Sequence, residues 1–175
     1  MTAGGFSLAK ALSYPFRNTK GSKLRIAILG NAGSGKSTLS VRLAEAHDLP
    51  RHEIDALQWN ADWTPVEPEI YRAAHDSLIA EERWVLDGPG RIDGLAERLA
   101  RATHIIFCDL PLWQNYWLLA ERQAAWKAGG LALRPGGHDA PPPTRDLFEV
   151  VWNIDRDYLP KWRALVEACS EDTSI

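Results

Sequence analysis

Residues Gly30 to Thr38, GNAGSGKST, combine three glycines, a lysine and three hydroxyls in the spacing G-x-x-x-x-G-K-[ST]. Glycines let successive backbone N–H groups turn toward one anion, and a helix opening at the end of the run adds its partial positive charge. A lysine at position 36 would reach the β- and γ-phosphates of a nucleoside triphosphate, and the Ser37 hydroxyl would hold Mg²⁺. Gly30, Asn31, Ala32, Gly33, Ser34, Gly35, Lys36, Ser37 and Thr38 are therefore the candidate ATP-binding set. A chance glycine-rich turn is the bland alternative. It would need the preceding apolar run LRIAIL, the following helical pattern and all the motif residues to coincide.

A second group is WVLDGPGR, Trp84 to Arg91. Asp87 closes an apolar run, where a phosphate-loop protein needs a carboxylate for hydrated Mg²⁺; alternatively it caps the following turn. Ser37 and Asp87 are thus the candidate metal pair, and Lys36 and Asp87 belong to the candidate catalytic set. DGPG also matches D-x-x-G of GTPases, but no N-K-x-D accompanies it. The third group is IDALQW. Asp55 ends the second predicted strand, so it should face the same cleft, because ligands of open α/β sheets bind at the carboxyl ends of strands. It could take the proton of an attacking hydroxyl, hold Mg²⁺, or cap the next helix. Trp59 and Trp63 could stack on a base or sugar ring, or simply find burial.

Arg122 flanks a Gly/Pro-rich run, AGGLALRPGGHDAPPP, too irregular for a regular element and of the length of a lid. It is the candidate to meet charge on the transferring phosphoryl group, with Arg134 and Arg145 weaker, and a solvated surface arginine the default for each. The five histidines show no metal-ligand spacing.

These groups need a scaffold that brings strand ends together. LRIAIL, RHEI (ending at Asp55), RWVLD and HIIFCD read as strands alternating with helices over about 37–46, 69–82 and 112–127, the pattern of a parallel α/β sheet. A last helical stretch starts near Thr144, an expected N-cap, and Pro160 should break it in two. With 175 residues, 45% of them hydrophobic, one domain is expected, and no apolar run is long enough to span a membrane. Residues 1–22 read as a flexible arm and 23–175 as the domain. Residues 1–44 hold seven Lys/Arg and no acid, leaving 13 basic against 23 acidic in the rest. An acidic body argues against direct nucleic-acid binding. The acid-free start could serve as a transit peptide, but it carries one arginine, and a loosely docked arm fits better. Cys108 and Cys169 form no CxxC, so buried thiols in a reducing cytoplasm are expected. A monomer or weak dimer is expected.

LDGPGR resembles the D-G-x-x-R of adenylate kinases and other nucleoside monophosphate kinases. HEIDALQWNADWTPV, RWVLDG and THIIFCDLPLWQNYWLLAER resemble, in order and spacing, the adenylate kinase-related bacterial proteins called DNA topology modulation proteins, over about 24–165. The resemblance implies a three-layer P-loop NTPase fold: a parallel sheet in the order 2-3-1-4, an acceptor segment at 56–83 and a lid at 128–143. It implies ATP- and Mg²⁺-dependent phosphoryl transfer to a small molecule, with Arg91 gripping an acceptor phosphate and Asp55 and Trp59 on the acceptor side. Relatives have Asn-Tyr where this chain has Pro89-Gly90, their lids carry more arginines, and they add a fifth strand for which this sequence has no segment. The D-G-x-x-R pattern favours a nucleoside monophosphate as acceptor. A hydroxyl acceptor such as a sugar, or a nucleotide-binding regulatory protein with little turnover, are the alternatives.

Overall fold

The computed structural model describes residues 23–62, 64–131 and 140–169. The expectations for the arm 1–22, Trp63, Arg134, His138 and the middle of the 128–143 segment lie outside them. The elements run β1 (Leu24–Gly30), α1 (Lys36–His47), β2 (Arg51–Glu53), a 3₁₀ turn (Asp55–Gln58), α2 (Pro68–Ala80), β3 (Arg83–Asp87), α3 (Ile92–Arg101), β4 (His104–Cys108), α4 (Leu112–Lys127), α5 (Thr144–Asn153), a π turn (Ile154–Tyr158) and α6 (Leu159–Cys169).

Four parallel strands lie in the order β2-β3-β1-β4. Strand β1 is apolar at nearly every position because it is covered on both sides, and its alternation divides the core in two. Ala27 and Leu29 join Trp84, Leu86 and Ile105 under α2, α3 and α6, which contribute Tyr71, Leu95, Leu99 and Trp162. Leu24, Ile26 and Ile28 join Val85 under α1, which contributes Leu39 and Leu43. The result is the three-layer α/β architecture, and its register sets the chemistry. Ile28 pairs with Asp87, Gly30 with Cys108, and Glu53 with Asp87, so the four strand ends meet at one edge.

Four local expectations are corrected. Strand β2 stops at Glu53, and Asp55 starts the 3₁₀ turn instead of closing the strand. Helix α2 begins at Pro68, where a missing N–H costs nothing, and ends at Ala80. Thr144 is not the cap of α5: Pro143 holds that position, no side chain caps the helix, and the Thr144 hydroxyl lies 3.4 Å from Lys127 Nζ. Nor does Pro160 break the last helix. The π turn before it widens the spiral, with Leu159 N–H donating to the Ile154 carbonyl, so the helical path continues past a residue that has no N–H and would crowd the carbonyl four residues back. Among the described residues no helix is long and apolar enough to cross a membrane.

Candidate active site

The phosphate loop leaves β1 at Gly30 and enters α1 at Lys36. Gly35 stands at the helix N-cap with φ 83°, no side chain caps the helix, and its first turn carries no acid. The first-turn N–H groups are therefore free for an external anion. A side chain on Gly35 would project into open space, so the glycine is required by its left-handed backbone, not by crowding. Helix α4 backs the loop: a Cβ on Gly33 would come within 2.6 Å of the Asn115 carbonyl oxygen.

Lys36 is buried, and its Nζ donates to the Asn31 carbonyl at 2.8 Å. The cation is thus stored inside the loop it is expected to serve. Asn31 also fastens the loop to α5, donating from Nδ2 to the Val151 carbonyl at 2.9 Å while its Oδ1 accepts from Ala32 N–H at 2.8 Å. Ser37 is half-buried at the helix start, Thr38 is exposed, and the buried Ser34 Oγ has no partner among the described residues.

Asp87 ends β3 and is buried. Its Oδ2 accepts from Arg51 Nη2 at 3.1 Å and lies 3.2 Å from Ser40 Oγ. The same Arg51 Nη2 bonds Glu53 Oε1 at 2.7 Å, and Arg51 Nε bonds Ser40 Oγ at 2.6 Å. Arg51, Glu53 and Ser40 were not legible as site residues. Strand β2 is only three residues long, so alternation in the sequence gives no signal for Arg51 and Glu53.

At the Gly88–Arg91 turn, three elements each satisfy one backbone group. Asp55 Oδ1 accepts from Gly90 N–H at 2.9 Å, Tyr71 Oη accepts from Arg91 N–H at 3.0 Å, and Arg98 Nη2 donates to the Pro89 carbonyl at 2.7 Å. Asp55 therefore does not cap its helical turn, whose cap position is Ile54 without a side-chain bond; it reaches across to the turn after β3. Gly88 has φ 101°, and a Cβ there would meet the Asp55 carboxyl at 2.5 Å.

Burial pushes the Asp55 carboxyl above the usual carboxylate range, while Lys36, the Gly90 N–H and Arg98 pull it back and Asp87 adds to the rise. Lys36, Asp55 and Asp87 are thus close enough to feel one another. Arg98, fully buried on α3, is brought down to about 10 by desolvation, and its Nε and Nη1 have no partner among the described residues. Burial also pushes the half-buried Cys108 thiol up to about 11, as expected of a packed thiol and not a nucleophile.

The remaining candidates divide. Arg122 is half-buried one turn beyond Leu119 on α4, its Nε enclosed with no partner among the described residues, and burial lowers its pKa while the Glu53 charge opposes this. That places it toward the strand-end edge with a free donor. Arg91 is turned aside: its guanidinium lies 5.8 Å from the centre of the Tyr71 ring and Nε 3.5 Å from Asp93. Trp59 is 41% exposed beyond the 3₁₀ turn and pairs through its backbone with Pro65. Arg145 is exposed on α5, paired with Glu149 at 3.2 Å, beside a shallow cavity of about 410 Å³ between α4 and α5 that none of the phosphate loop lines.

The donor set fits Mg²⁺ as a companion of a nucleotide. Ser37, Asp87 and Glu53 offer hard oxygens at one edge. Among the described residues no group of three or more His, Cys, Asp and Glu could hold an ion by itself, which leaves coordination positions for phosphate oxygens and water.

No protein-family model and no curated protein matches the chain. Solved structures do match. A protein assigned as a fructose transport system kinase from Silicibacter sp. TM1040 is 15% identical, with a TM-score of 0.51 over 98% of this chain and 97% of its own. The shikimate kinase of Acinetobacter baumannii, in complex with shikimate, is 14% identical over 86% of this chain and 91% of its own, with a TM-score of 0.48. A gluconokinase from Sinorhizobium meliloti 1021 is 18% identical over 81% and 97%, with a TM-score of 0.44. The fold is that of the P-loop kinases. The finer likeness to topology modulation proteins rests on the sequence motifs alone.

Proposed function

We propose that the protein is an ATP- and Mg²⁺-dependent phosphotransferase whose acceptor is a hydroxyl of a small molecule, with Asp55 as the base. The single observation behind this reading is the Asp55 carboxyl, partly desolvated, held by Gly90 N–H at 2.9 Å and within electrostatic range of Lys36. A carboxyl raised above its ordinary value and fixed beside the phosphate-binding lysine suits proton removal from an alcohol. A phosphate oxygen, ionised at neutral pH, needs no such partner.

In this reading the loop N–H groups and Lys36 neutralise the β- and γ-phosphates, Lys36 Nζ leaving the Asn31 carbonyl for the nucleotide. Ser37 and Asp87 would hold Mg²⁺, which when bound supplies charge neutralisation between the phosphates. Asp55 accepts the hydroxyl proton as the acceptor oxygen bonds to the γ-phosphorus. The bond from γ-phosphorus to the bridging oxygen breaks, and ADP leaves with the electron pair. Arg122, with its spare donor, meets the charge on the transferring group. Catalysis is then mostly positioning and electrostatics. We place this activity in the cytoplasm, where ATP is supplied and thiols stay reduced.

A nucleoside monophosphate acceptor is the second reading, favoured by Arg91 in D-G-x-x-R at the edge of the same turn. Steady-state ADP release with sugars, hydroxy acids and nucleoside monophosphates as acceptors separates the two. Turnover confined to monophosphates overturns the hydroxyl reading. Nucleotide binding with no turnover on any acceptor would instead favour a regulatory protein.

A further inference from the structure

The metal side of the site already contains a cation, and it belongs to the chain. Arg51, only 18% exposed, spreads its guanidinium over three groups: Nε on Ser40 Oγ at 2.6 Å, and Nη2 between Glu53 Oε1 at 2.7 Å and Asp87 Oδ2 at 3.1 Å. Register explains the geometry. Glu53 and Asp87 are paired residues on neighbouring parallel strands, so their carboxylates lie side by side and would repel without a positive charge between them. Ser40 lies one turn along α1 from Ser37, with its Oγ 2.9 Å from the Ser37 carbonyl, so the guanidinium reaches the neighbourhood of the hydroxyl assigned to Mg²⁺. An arginine with three partners here is more than a rim ion pair. It supplies the positive charge that Asp87 needs while no metal is present, and it occupies the carboxylate oxygen that a metal-bound water would use.

We propose that Arg51 is an internal counter-cation which excludes free divalent metal from Asp87, so that Mg²⁺ enters only with a nucleotide and Arg51 leaves Asp87 when it does. The inference rests on the reading of Asp87 as the metal-side carboxylate. Its physical content is competition. A unit positive charge 3.1 Å from Asp87 repels a dication, and triphosphate oxygens supply the additional ligands and negative charge that outweigh it. The chain would thereby avoid holding a metal at an empty nucleotide site.

The test is Mn²⁺ binding to the protein without nucleotide, read by electron paramagnetic resonance. Arg51→Gln, which keeps a hydrogen-bond donor and removes the charge, should bind Mn²⁺ at least tenfold more tightly than wild type, and the gain should vanish in Arg51→Gln/Asp87→Asn. Arg51→Lys, which keeps the charge, should stay within about threefold of wild type. Equal affinity in wild type and Arg51→Gln, or a gain that survives Asp87→Asn, overturns the proposal. Should Arg51→Gln fail to fold, the wild-type Arg51 Nε–Hε resonance decides: it should shift and exchange faster on adding Mg²⁺ with ATP, and an unmoved resonance in a sample that has bound both overturns the proposal. ATP that does not bind at all, by calorimetry, defeats the phosphotransferase reading instead. The nucleotide-free Mn²⁺ comparison still stands on its own.

Discussion

Replacing Asp55 by Asn is the sharpest perturbation because it removes one charge and almost nothing else. The amide oxygen can still accept from Gly90 N–H, now 2.9 Å from Oδ1, so the Gly88–Arg91 turn keeps its brace. What disappears is the ability to take a proton. General-base help is worth roughly 10²–10⁴ in rate. At about 1.36 kcal/mol per decade this raises the barrier by about 2.7–5.4 kcal/mol. The loss should fall on kcat, measured by coupled ADP release at saturating ATP and acceptor. ATP affinity by calorimetry should hold or improve, because an anion near Lys36 has gone.

The pH dependence carries independent information. Burial raises the folded-state pKa of Asp55 above its ordinary value of 3.8, so the wild-type acid limb of kcat/KM should lie above that value and be lost in the variant. Stability changes in the opposite sense. A raised acid binds more protons folded than unfolded, so its contribution is fully present below the unfolded pKa and is lost as pH rises through the folded one. At pH 7 the raised Asp55 carboxyl therefore costs stability. The Asn variant should melt at the same or a higher temperature there, with its advantage fading toward pH 4. A variant with kcat within threefold of wild type and a lower melting temperature would show that Asp55 braces the turn and is not the base.

Lys36→Ala should weaken ATP binding at least tenfold, about 1.4 kcal/mol, since it removes the charge placed to meet the β- and γ-phosphates; unchanged calorimetry refutes the phosphate cradle. Gly88→Ala should destabilise the fold by about 1–3 kcal/mol, because alanine at φ 101° is strained and its Cβ would meet the Asp55 carboxyl at 2.5 Å; an unmoved urea midpoint contradicts this geometry. Arg91→Ala should leave KM for a hydroxyl acceptor within a few-fold, since the guanidinium rests on Tyr71 and Asp93. A large KM rise with a monophosphate substrate would reinstate the phosphate-gripping role.

The phosphate loop was legible because everything that defines it is local: an apolar strand, glycines at fixed offsets and a helix start within fifteen residues of one another. The strand order was legible through resemblance, and the two-sided core through the mostly apolar run of β1, interrupted only at Arg25. What escaped depends on contacts between distant residues. Asp55 and Gly90 are 35 positions apart, so no spacing rule distinguishes an Asp that caps its own turn from one that braces another strand's turn. Arg51 begins a strand only three residues long, too short for alternation to show which side chain turns inward. Arg98 sits in GLAERLAR, where helix polarity suggests a solvated arginine, yet it is fully buried and donates to the Pro89 carbonyl nine residues back, a contact no local pattern announces. Thr144 and Pro160 were read from local preferences, and the cap fell one residue earlier on Pro143 while a π turn carried the helix past the proline.

The Pro89-Gly90 pair, the clearest departure from the related pattern, acquires a physical reason from this arrangement. The turn must present one carbonyl to Arg98 and two N–H groups to Asp55 and Tyr71 in immediate succession. Proline at 89 has no N–H, so the turn leaves no donor there to satisfy, and its carbonyl accepts from Arg98 on α3. Glycine at 90, with φ 62°, turns its N–H toward Asp55, and any Cβ would stand 2.4 Å from both Ile54 Cγ2 and Tyr71 Oη. The tyrosine that stands at position 90 in the proteins whose motif this chain resembles would have no room here. In the proposed reading the acceptor would lie against the Asp55 carboxyl, while Tyr71 is buried behind the turn with its hydroxyl on the Arg91 N–H. That reading favours a hydroxyl-bearing molecule over an additional phosphate, whose negative charge would have to approach Asp55 while Arg91 rests on Tyr71 and Asp93.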